Sequence, residues 1–218
     1  IQCYGQPVAK AQPGSRVALN LVGIKKEELK RGGIVLRDTE MARTSRMFNS
    51  EIRLIPNLGS PLKTNSELVV YLETRELLGR VILLRAKLMR SSESALAQFR
   101  FNQDVATYIG EHFIIRRQSP SQTIGGGTVL DPFATKYRLR DADKVTSFLQ
   151  GRQGLELEDL ILSELQRHGY IERRELLMAS QYSSAEVAEQ VTLLDHQNRL
   201  VATSSYVIDQ EYWQDQTQ

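Results

Sequence analysis

Three consecutive glycines inside a predicted strand are the part of this sequence best suited to contact another molecule. Residues 122–132 read Q-T-I-G-G-G-T-V-L-D-P. Glycine within a strand costs conformational entropy and marks a bulge or a place where another backbone comes close. Exposed backbone N–H groups bind anions, so the approaching backbone is either protein or the ribose-phosphate of a nucleic acid. The alternative without a ligand is a barrel corner, where the sheet bends.

Basic side chains on or beside the predicted strands are the second candidate for binding chemistry. The arginine guanidinium is planar and donates two parallel hydrogen bonds to a phosphate. The alternative is that these charges cover the solvent face of a half-buried sheet. Taken together with the glycine run, the cluster favours contact with an RNA backbone. Its members are Arg85, Lys87, Arg90, Arg100, Arg116 and Arg117.

The sequence lacks the motifs of common catalytic sites. There is no G-x-x-x-x-G-K-[ST] loop and no G-x-S-x-G elbow, and a β-like run follows the glycines where a dinucleotide site would have a helix. The three histidines, His112, His168 and His196, are far apart and lack metal-ligand spacing. Cys3 is the single cysteine, which excludes an internal disulfide and fits a reducing cytoplasm. We therefore expect no catalytic or metal site in these residues.

Charge and composition change near residue 133. Residues 1–132 hold 19 Lys and Arg against 12 Asp and Glu, whereas residues 133–218 hold 9 against 14. The first part would attract a polyanion and the second would repel one. All six prolines and 11 of the 14 glycines precede residue 133. No apolar run reaches the roughly 18 residues that span a bilayer, and nothing resembles a secretory leader.

The first part reads as strands and the second as helices with a hairpin. Ala97, Phe99 and Phe101 alternate with polar residues, which is the period of a strand. Many short strands with turns about every ten residues indicate an antiparallel barrel or sandwich. The predicted strands are residues 17–22, 34–36, 51–55, 67–72, 79–89, 95–101 and 111–117.

After residue 141 the apolar spacing becomes helical. Ala142, Val145 and Leu149 mark a connecting helix, and a second helix from Leu157 ends at Gly169. Residues 172–180 are predicted as a helix with Leu176 and Leu177 inward, and the capping box at 183–186 opens another. A hairpin at 200–208 completes a winged helix. Its last helix carries Glu186 and Glu189, and residues 183–198 contain no Lys or Arg, so it lacks the charge of a nucleic-acid reader. A spacer or protein-contact role is expected.

The motifs resemble those of translational GTPases. Residues 11–21, A-Q-P-G-S-R-V-A-L-N-L, with Gly23-Ile24 and Lys30-Arg31-Gly32, resemble the end of domain II. Residues 111–116 through 123–127 resemble the end of domain III in the elongation factor Tu family. The form T-I-G-G-G-x-V-L-D-P followed by a winged helix is most similar to the SelB family of selenocysteine-specific elongation factors. The resemblance covers essentially the whole chain.

The resemblance implies a fold class and domain order. The expected fold is an all-β barrel of the translational GTPase domain II/III type followed by an α+β winged-helix domain. Residues 1–44 would be the C-terminal part of domain II, 45–134 the domain III barrel, and 135–218 a linker helix and the first winged helix. A GTP-binding domain and the first strands of domain II are expected before Ile1, so the domain II barrel would be incomplete. Further winged helices are expected after Gln218.

The resemblance also implies partners and cofactors. The whole protein would carry selenocysteyl-tRNA to the ribosome at recoded UGA codons, with GTP and Mg²⁺ held outside this fragment. The later winged helices would bind the hairpin of selenoprotein mRNA. The fragment itself would be neither an enzyme nor a cofactor site, and it would act in the cytoplasm without a membrane.

The site residues follow from the matching positions. Arg116, Thr123, Gly125, Gly126 and Gly127 match the strands that face the T-stem of aminoacyl-tRNA in the Tu family, which implies Arg on phosphate and bare backbone against ribose-phosphate.

Arg16 falls where domain II of the family lines the aminoacyl pocket. A selenol is more acidic than a thiol, so a cation there would favour selenocysteyl over seryl cargo. The alternative is an Arg on the barrel rim beside a turn.

Two other functions fit the sequence. A non-translational adaptor would use the barrel and winged helix for protein contacts. An enzyme using the glycine loop for phosphate is disfavoured, because the Lys and the helix of such a loop are missing. RNA binding should weaken steeply with salt, whereas adaptor binding need not.

Overall fold

The computed structural model describes residues 1–12, 14–29, 31–35, 43–136 and 141–217. These form two compact units, Ile1–Gly33 and Ile34–Gln218. The first unit holds an open three-stranded antiparallel sheet in the order β2-β1-β3 and a single 3₁₀ turn, Lys26–Glu28. Its strands are β1 (Gln2–Cys3), β2 (Gln6–Pro7) and β3 (Val17–Ala18).

The second unit begins with a closed six-stranded antiparallel barrel in the order β10-β11-β4-β9-β7-β6. A short pair, β5 (Leu62–Lys63) and β8 (Leu88–Met89), lies beside it. The barrel strands are β4 (Ser45–Leu54), β6 (Glu67–Leu72), β7 (Arg75–Leu83), β9 (Ser94–Val105), β10 (His112–Arg117) and β11 (Gln122–Asp131).

Alternation along the strands fills the barrel with aromatic rings. Phe48, Phe99, Phe101 and Phe113 are all buried. The Phe48 ring centroid lies 5.2 to 5.4 Å from the other three. Tilted and edge-on contacts at this distance add to the gain from burying apolar surface. The predicted barrel is confirmed, and the shared inward face of Ala97, Phe99 and Phe101 lies at its centre.

A winged helix follows the barrel. Helix α2 packs against α3, and a three-stranded sheet in the order β12-β14-β13 closes the domain. Its core includes Leu160, Leu165, Val191 and Val207. The elements are α1 (Ala142–Gln150), α2 (Leu157–His168), β12 (Tyr170–Glu172), α3 (Ser184–His196), β13 (Leu200–Ala202), β14 (Tyr206–Asp209) and α4 (Gln210–Thr217).

Local signals at the helix ends are confirmed. The N-cap Ser183 side chain accepts from the Glu186 N–H, and the Glu186 side chain accepts from the Ser183 N–H, which completes the capping box. Gly169 follows α2 at φ 78°, a left-handed conformation that costs glycine little. Helix α4, with its polar sequence, was not predicted.

Four predicted elements differ from the structure. The helix predicted at residues 172–180 is absent. Glu172 ends β12 and residues 173–179 form turns, because Leu177 is left-handed at φ 52° and the Ala179 carbonyl accepts from the Ile109 N–H across the barrel junction. Leu176 and Leu177 are nevertheless buried as predicted. The strand predicted at 79–89 is broken between β7 and β8, where Arg85 takes φ 61°.

In the first unit, the strand predicted at 17–22 is limited to Val17–Ala18. Ile34 and Val35 are not in a strand. Pro13, Lys30 and Leu36, which belong to the predicted turn, motif and strand, lie outside the described residues.

Candidate nucleic-acid interface

The glycine run lies in the middle of β11, between β10 and β4. Gly125 is paired with Ile115 and Leu54, and Gly127 with Phe113 and Ile52. All four of these partners are buried, so Gly125 and Gly127 occupy inward positions. Gly126 is the outward member of the run.

The barrel's own strands are the backbone that comes close to the glycines. A Cβ at Gly125 would lie 2.3 Å from the Arg53 carbonyl oxygen, and one at Gly127 would lie 2.2 Å from the Glu51 oxygen and 2.7 Å from the Phe113 ring. A Cβ at Gly126 would lie 2.6 Å from the Phe113 oxygen. Register shifts flank the run on both sides. Barrel closure therefore accounts for the glycines without a ligand.

The outward face around Gly126 nevertheless has the composition of a binding surface. Ile114 is paired with Tyr71 on one side and with Gly126 on the other, and Gly126 is paired with Arg53. Ile114 is 51% exposed and Arg53 is exposed. Because Gly126 has no side chain, its backbone forms a strip of uncovered sheet between the apolar Ile114 and the cationic Arg53.

Arg116 and Thr123 lie at one end of this strip. They are directly paired across β10 and β11. The Arg116 Nη2 donates to Ser121 Oγ at 3.0 Å, and its Cζ lies 5.9 Å from the centre of the Tyr71 ring. These contacts hold the guanidinium against the sheet. Thr123 is exposed.

Glu51 and His112 lie at the other end of the strip. His112 Nδ1 and Thr128 Oγ1 are 3.0 Å apart across β10 and β11. Thr128 is paired with Glu51, whose carboxylate accepts from Gln153 Nε2 at 2.7 Å. Residue 153 lies between α1 and α2, so the winged-helix part of the chain borders this face of the barrel. We define the glycine face as Arg53, Ile114, Arg116, Thr123 and Gly126.

The six basic candidates do not form one cluster. Arg85 pairs with Asp143 of α1. Arg100 Nε donates to Gln98 Oε1 at 2.8 Å. The Arg117 Nη2 donates to the carbonyls of Ser60 and Pro61 at 2.7 and 3.1 Å.

Two of the remaining basic candidates lie near β8. Arg90 faces Glu93 at 4.0 Å, and Lys87 is exposed just before β8. Arg116 is therefore the member of the predicted cluster that lies on the glycine face.

Arg53 was missed at the sequence level. Its outward position follows from alternation in the predicted strand 51–55, but its place beside Gly126 follows from the pairing of β11 with β4.

Arg16 belongs to the other compact unit. It immediately precedes β3, its side chain is exposed, and its carbonyl accepts from the Cys3 thiol at 3.6 Å.

A buried polar chain joins the barrel to the winged helix. Gln98 Nε2 donates to Asn49 Oδ1 at 3.0 Å, and Asn49 Nδ2 donates to Asp131 Oδ2 at 3.1 Å. Arg167 of α2 binds the same Asp131 oxygen at 3.2 Å. Asn49, Gln98 and Asp131 are all buried, although they lie on the outside of the barrel. The winged helix thus covers part of the barrel's outer surface.

Apolar contacts and a second loop complete this junction. Leu149 of α1 packs on Leu84 and Leu130 of the barrel. Ile109, from the loop between β9 and β10, enters the winged-helix core. At the end of this loop, Glu111 accepts from Arg75 and from Thr107. Burial raises the pKa of the Glu111 carboxyl, while the Thr107 hydroxyl and Arg75 oppose the rise.

Within the part of the chain that the structure describes, no helix has the length and apolar composition to cross a membrane.

The barrel and its sequence relatives define the class of protein. A sequence model of the β-barrel domain of selenocysteine-specific elongation factors matches residues 50–136. The chain is 31% identical to the selenocysteine-specific elongation factor of Desulfomicrobium baculatum. The 170 aligned residues correspond to 78% of this chain and 26% of that protein. The chain is also 27% identical to elongation factor Tu 2 of Streptomyces avermitilis. The 133 aligned residues correspond to 59% of this chain and 33% of that protein.

Both relatives are translation elongation factors, and this chain is of the same class. It belongs to the family of selenocysteine-specific elongation factors. The chain spans about a quarter and a third, respectively, of the length of these curated relatives.

Proposed function

We propose that this chain is the part of a selenocysteine-specific elongation factor that contacts tRNA through its barrel and holds the mRNA-binding end at a fixed distance. The observation that carries the tRNA contact is the glycine face, where the bare backbone of Gly126 lies between Arg53 and Ile114, with Arg116 and Thr123 at its end. Phosphate contacts of this kind position a nucleic acid without reading its sequence. The excess of basic residues in 1–132 supports the proposal.

The spacer role is supported by the junction between barrel and winged helix. The apolar contact of Leu149, the buried Asp131 chain and the inserted Ile109 join the two at separate places. A winged helix joined to the barrel in this way keeps its orientation relative to the barrel, because rotation about one contact is opposed by the others. The partners in this proposal are selenocysteyl-tRNA, the ribosome and, through later winged helices, the mRNA hairpin. GTP and Mg²⁺ would act in another domain, and no residue here is assigned a catalytic role.

Salt-dependent RNA binding tests the tRNA contact. The probe is an RNA minihelix with the acceptor and T stems of a bacterial selenocysteine tRNA, titrated with the 218-residue chain at several salt concentrations. Replacing Arg53 and Arg116 together by Ala should weaken binding about tenfold or more and reduce the salt slope by about 2, because each lost phosphate contact removes about one unit. Arg46→Ala is the matched control, since Arg46 is exposed and pairs with Asp104 at 3.1 Å.

Unchanged affinity and slope in the double variant would show that the glycine face does not bind RNA, and the protein-adaptor function would then be favoured. An equally large effect of Arg46→Ala would mean that RNA binding depends on general charge and not on the glycine face.

Arg16 is assigned the selection of cargo in this proposal. A cation near the aminoacyl group favours an ionised selenol over a neutral hydroxyl. In the whole factor, Arg16→Ala should lower the ratio of selenocysteyl-tRNA to seryl-tRNA affinity, measured by protection of each ester from hydrolysis. An unchanged ratio would remove Arg16 from the site.

A further inference from the structure

The outward face of α3 forms a groove with the start of α2. Leu157 of α2 and Leu193 of α3 line a groove of about 600 Å³. Leu193 is 49% exposed, which is unusual for a leucine on a helix whose other large apolar side chains, such as Val187, Val191 and Leu194, are buried. Covering an exposed apolar side chain with a partner is favourable, because it removes apolar surface from water.

Acidic side chains form the rim of this groove. Glu186 and Glu189 lie among its lining residues. The Glu186 carboxylate accepts from the Ser183 hydroxyl at 2.6 Å and from the Ser183 N–H at 2.8 Å, so it is held in place at the start of α3. These hydrogen bonds lower the pKa of Glu186, which keeps its charge near neutral pH.

Among the described residues, no Lys or Arg lines the groove. Residues 183–198 contain no Lys or Arg. Arg199, the first basic residue after α3, pairs with Glu158 of α2. The groove therefore presents two acidic side chains around an apolar floor, a combination that repels RNA phosphates.

We propose that the groove between α3 and α2 binds a basic, amphipathic helical segment of a partner protein. Apolar side chains of the segment would cover Leu157 and Leu193, and its Lys or Arg side chains would pair with Glu186 and Glu189. Complementary charge favours such a segment over an acidic one and over a nucleic acid. An amphipathic helix in an apolar groove is a recurrent mode of peptide recognition. This inference goes beyond the proposed function and does not depend on tRNA binding.

A designed peptide tests the proposal. The probe is an 18-residue helical peptide of Leu and Lys with the leucines on one face, and the reference is a scrambled peptide of equal composition. We expect the amphipathic peptide to bind the 218-residue chain at least fivefold more tightly than the scrambled one. Replacing Glu189 by Gln and Leu193 by Ser together should weaken its binding about tenfold. Glu211→Gln on α4 is the control, because Glu211 is exposed and acidic but does not line the groove.

Three results would overturn the proposal. Equal binding of the amphipathic and scrambled peptides would show attraction by net charge alone. Unchanged binding in the Glu189→Gln/Leu193→Ser variant, with native circular dichroism, would place the peptide elsewhere. If sedimentation showed that the unmodified chain dimerises and that the variant does not, the groove would be occupied by a second copy of this chain.

Discussion

The glycine face of the barrel and the α3 groove of the winged helix belong to the same compact unit but have opposite chemistry. The first presents Arg53 and Arg116 beside bare backbone, and the second presents Glu186 and Glu189 around exposed leucine. A winged helix often binds nucleic acid through this helix, whereas a barrel strand is a less familiar place for it. The charge of the side chains, and not the type of fold, therefore indicates which face suits RNA.

The two faces also differ in how their backbone is used. On the glycine face the strands themselves come within contact distance, and three glycines are needed to close the barrel. On the α3 groove the helix is regular, and the surface depends on side chains alone. Substitution of the three glycines should consequently affect stability, whereas substitution of the side chains that line the α3 groove should affect binding.

The largest expected effect is the loss of a glycine from the barrel. Gly127→Ala would place a Cβ 2.2 Å from the Glu51 oxygen and 2.7 Å from the Phe113 ring, so strands must separate or the core must repack. We expect the free energy of unfolding to fall by about 3 kcal/mol, at the upper end of the cost of overpacking. Urea denaturation followed by circular dichroism measures it.

Gly59→Ala is the matched control, because nothing lies within 4 Å of a Cβ there and the residue does not have a left-handed φ. It should change stability by less than about 0.5 kcal/mol. If Gly127→Ala were equally stable but bound RNA poorly, the glycines would be needed for the ligand and not for the barrel.

The next effect concerns the junction that holds the two faces in one body. Asp131→Ala removes the carboxylate that accepts hydrogen bonds from both Asn49 and Arg167, so both donors lose this acceptor. We expect a loss of about 2 kcal/mol, below the range for a fully buried pair because Arg167 is partly exposed. In calorimetry, the barrel and the winged helix should then unfold in two separate transitions.

Asp104→Ala is the control for this change, since Asp104 forms an exposed pair with Arg46. Exposed pairs contribute about 0 to 1 kcal/mol, so a single transition should persist there. A single transition in Asp131→Ala would mean that the apolar contacts of Leu149 and Ile109 suffice to couple the two domains.

The elements that were predicted correctly from the sequence are those with strong local signals. The strand period placed Ala97, Phe99 and Phe101 in the barrel core, and the Ser183 capping box placed the start of α3. Residues 173–179 were mistaken for helix because Leu176 and Leu177 suit either structure. The contact with Ile109, which fixes their turns, joins segments far apart in the chain.

The candidate site was predictable in part for the same reason. The glycines and Arg116 are adjacent in sequence or on neighbouring strands of a hairpin, whereas Arg53 reaches Gly126 through a pairing of distant strands. The two hydrogen-bond partners of Asp131 lie 82 and 36 residues away in the chain. The sequence motif therefore includes Asp131 but does not indicate that it joins the barrel to the winged helix. Register between distant strands is set by the folded barrel as a whole.

The smallest effect concerns α3, where the capping box fixes the acidic rim. Ser183→Ala should lower the free energy of unfolding by about 1 kcal/mol at neutral pH, because the N-cap hydroxyl is lost. The pKa of Glu186 is lowered in the fold from 4.5 by its bonds to Ser183, so their contribution is present above pH 4.5 and is lost as the pH falls through the folded value. Urea denaturation at several pH values should therefore show a smaller difference between variant and original chain in acid than at pH 7, whereas Ser184→Ala should match the original chain at every pH. A difference that stays constant down to acid pH would mean that the hydroxyl acts on the helix N–H alone and does not fix the Glu186 carboxylate at the groove.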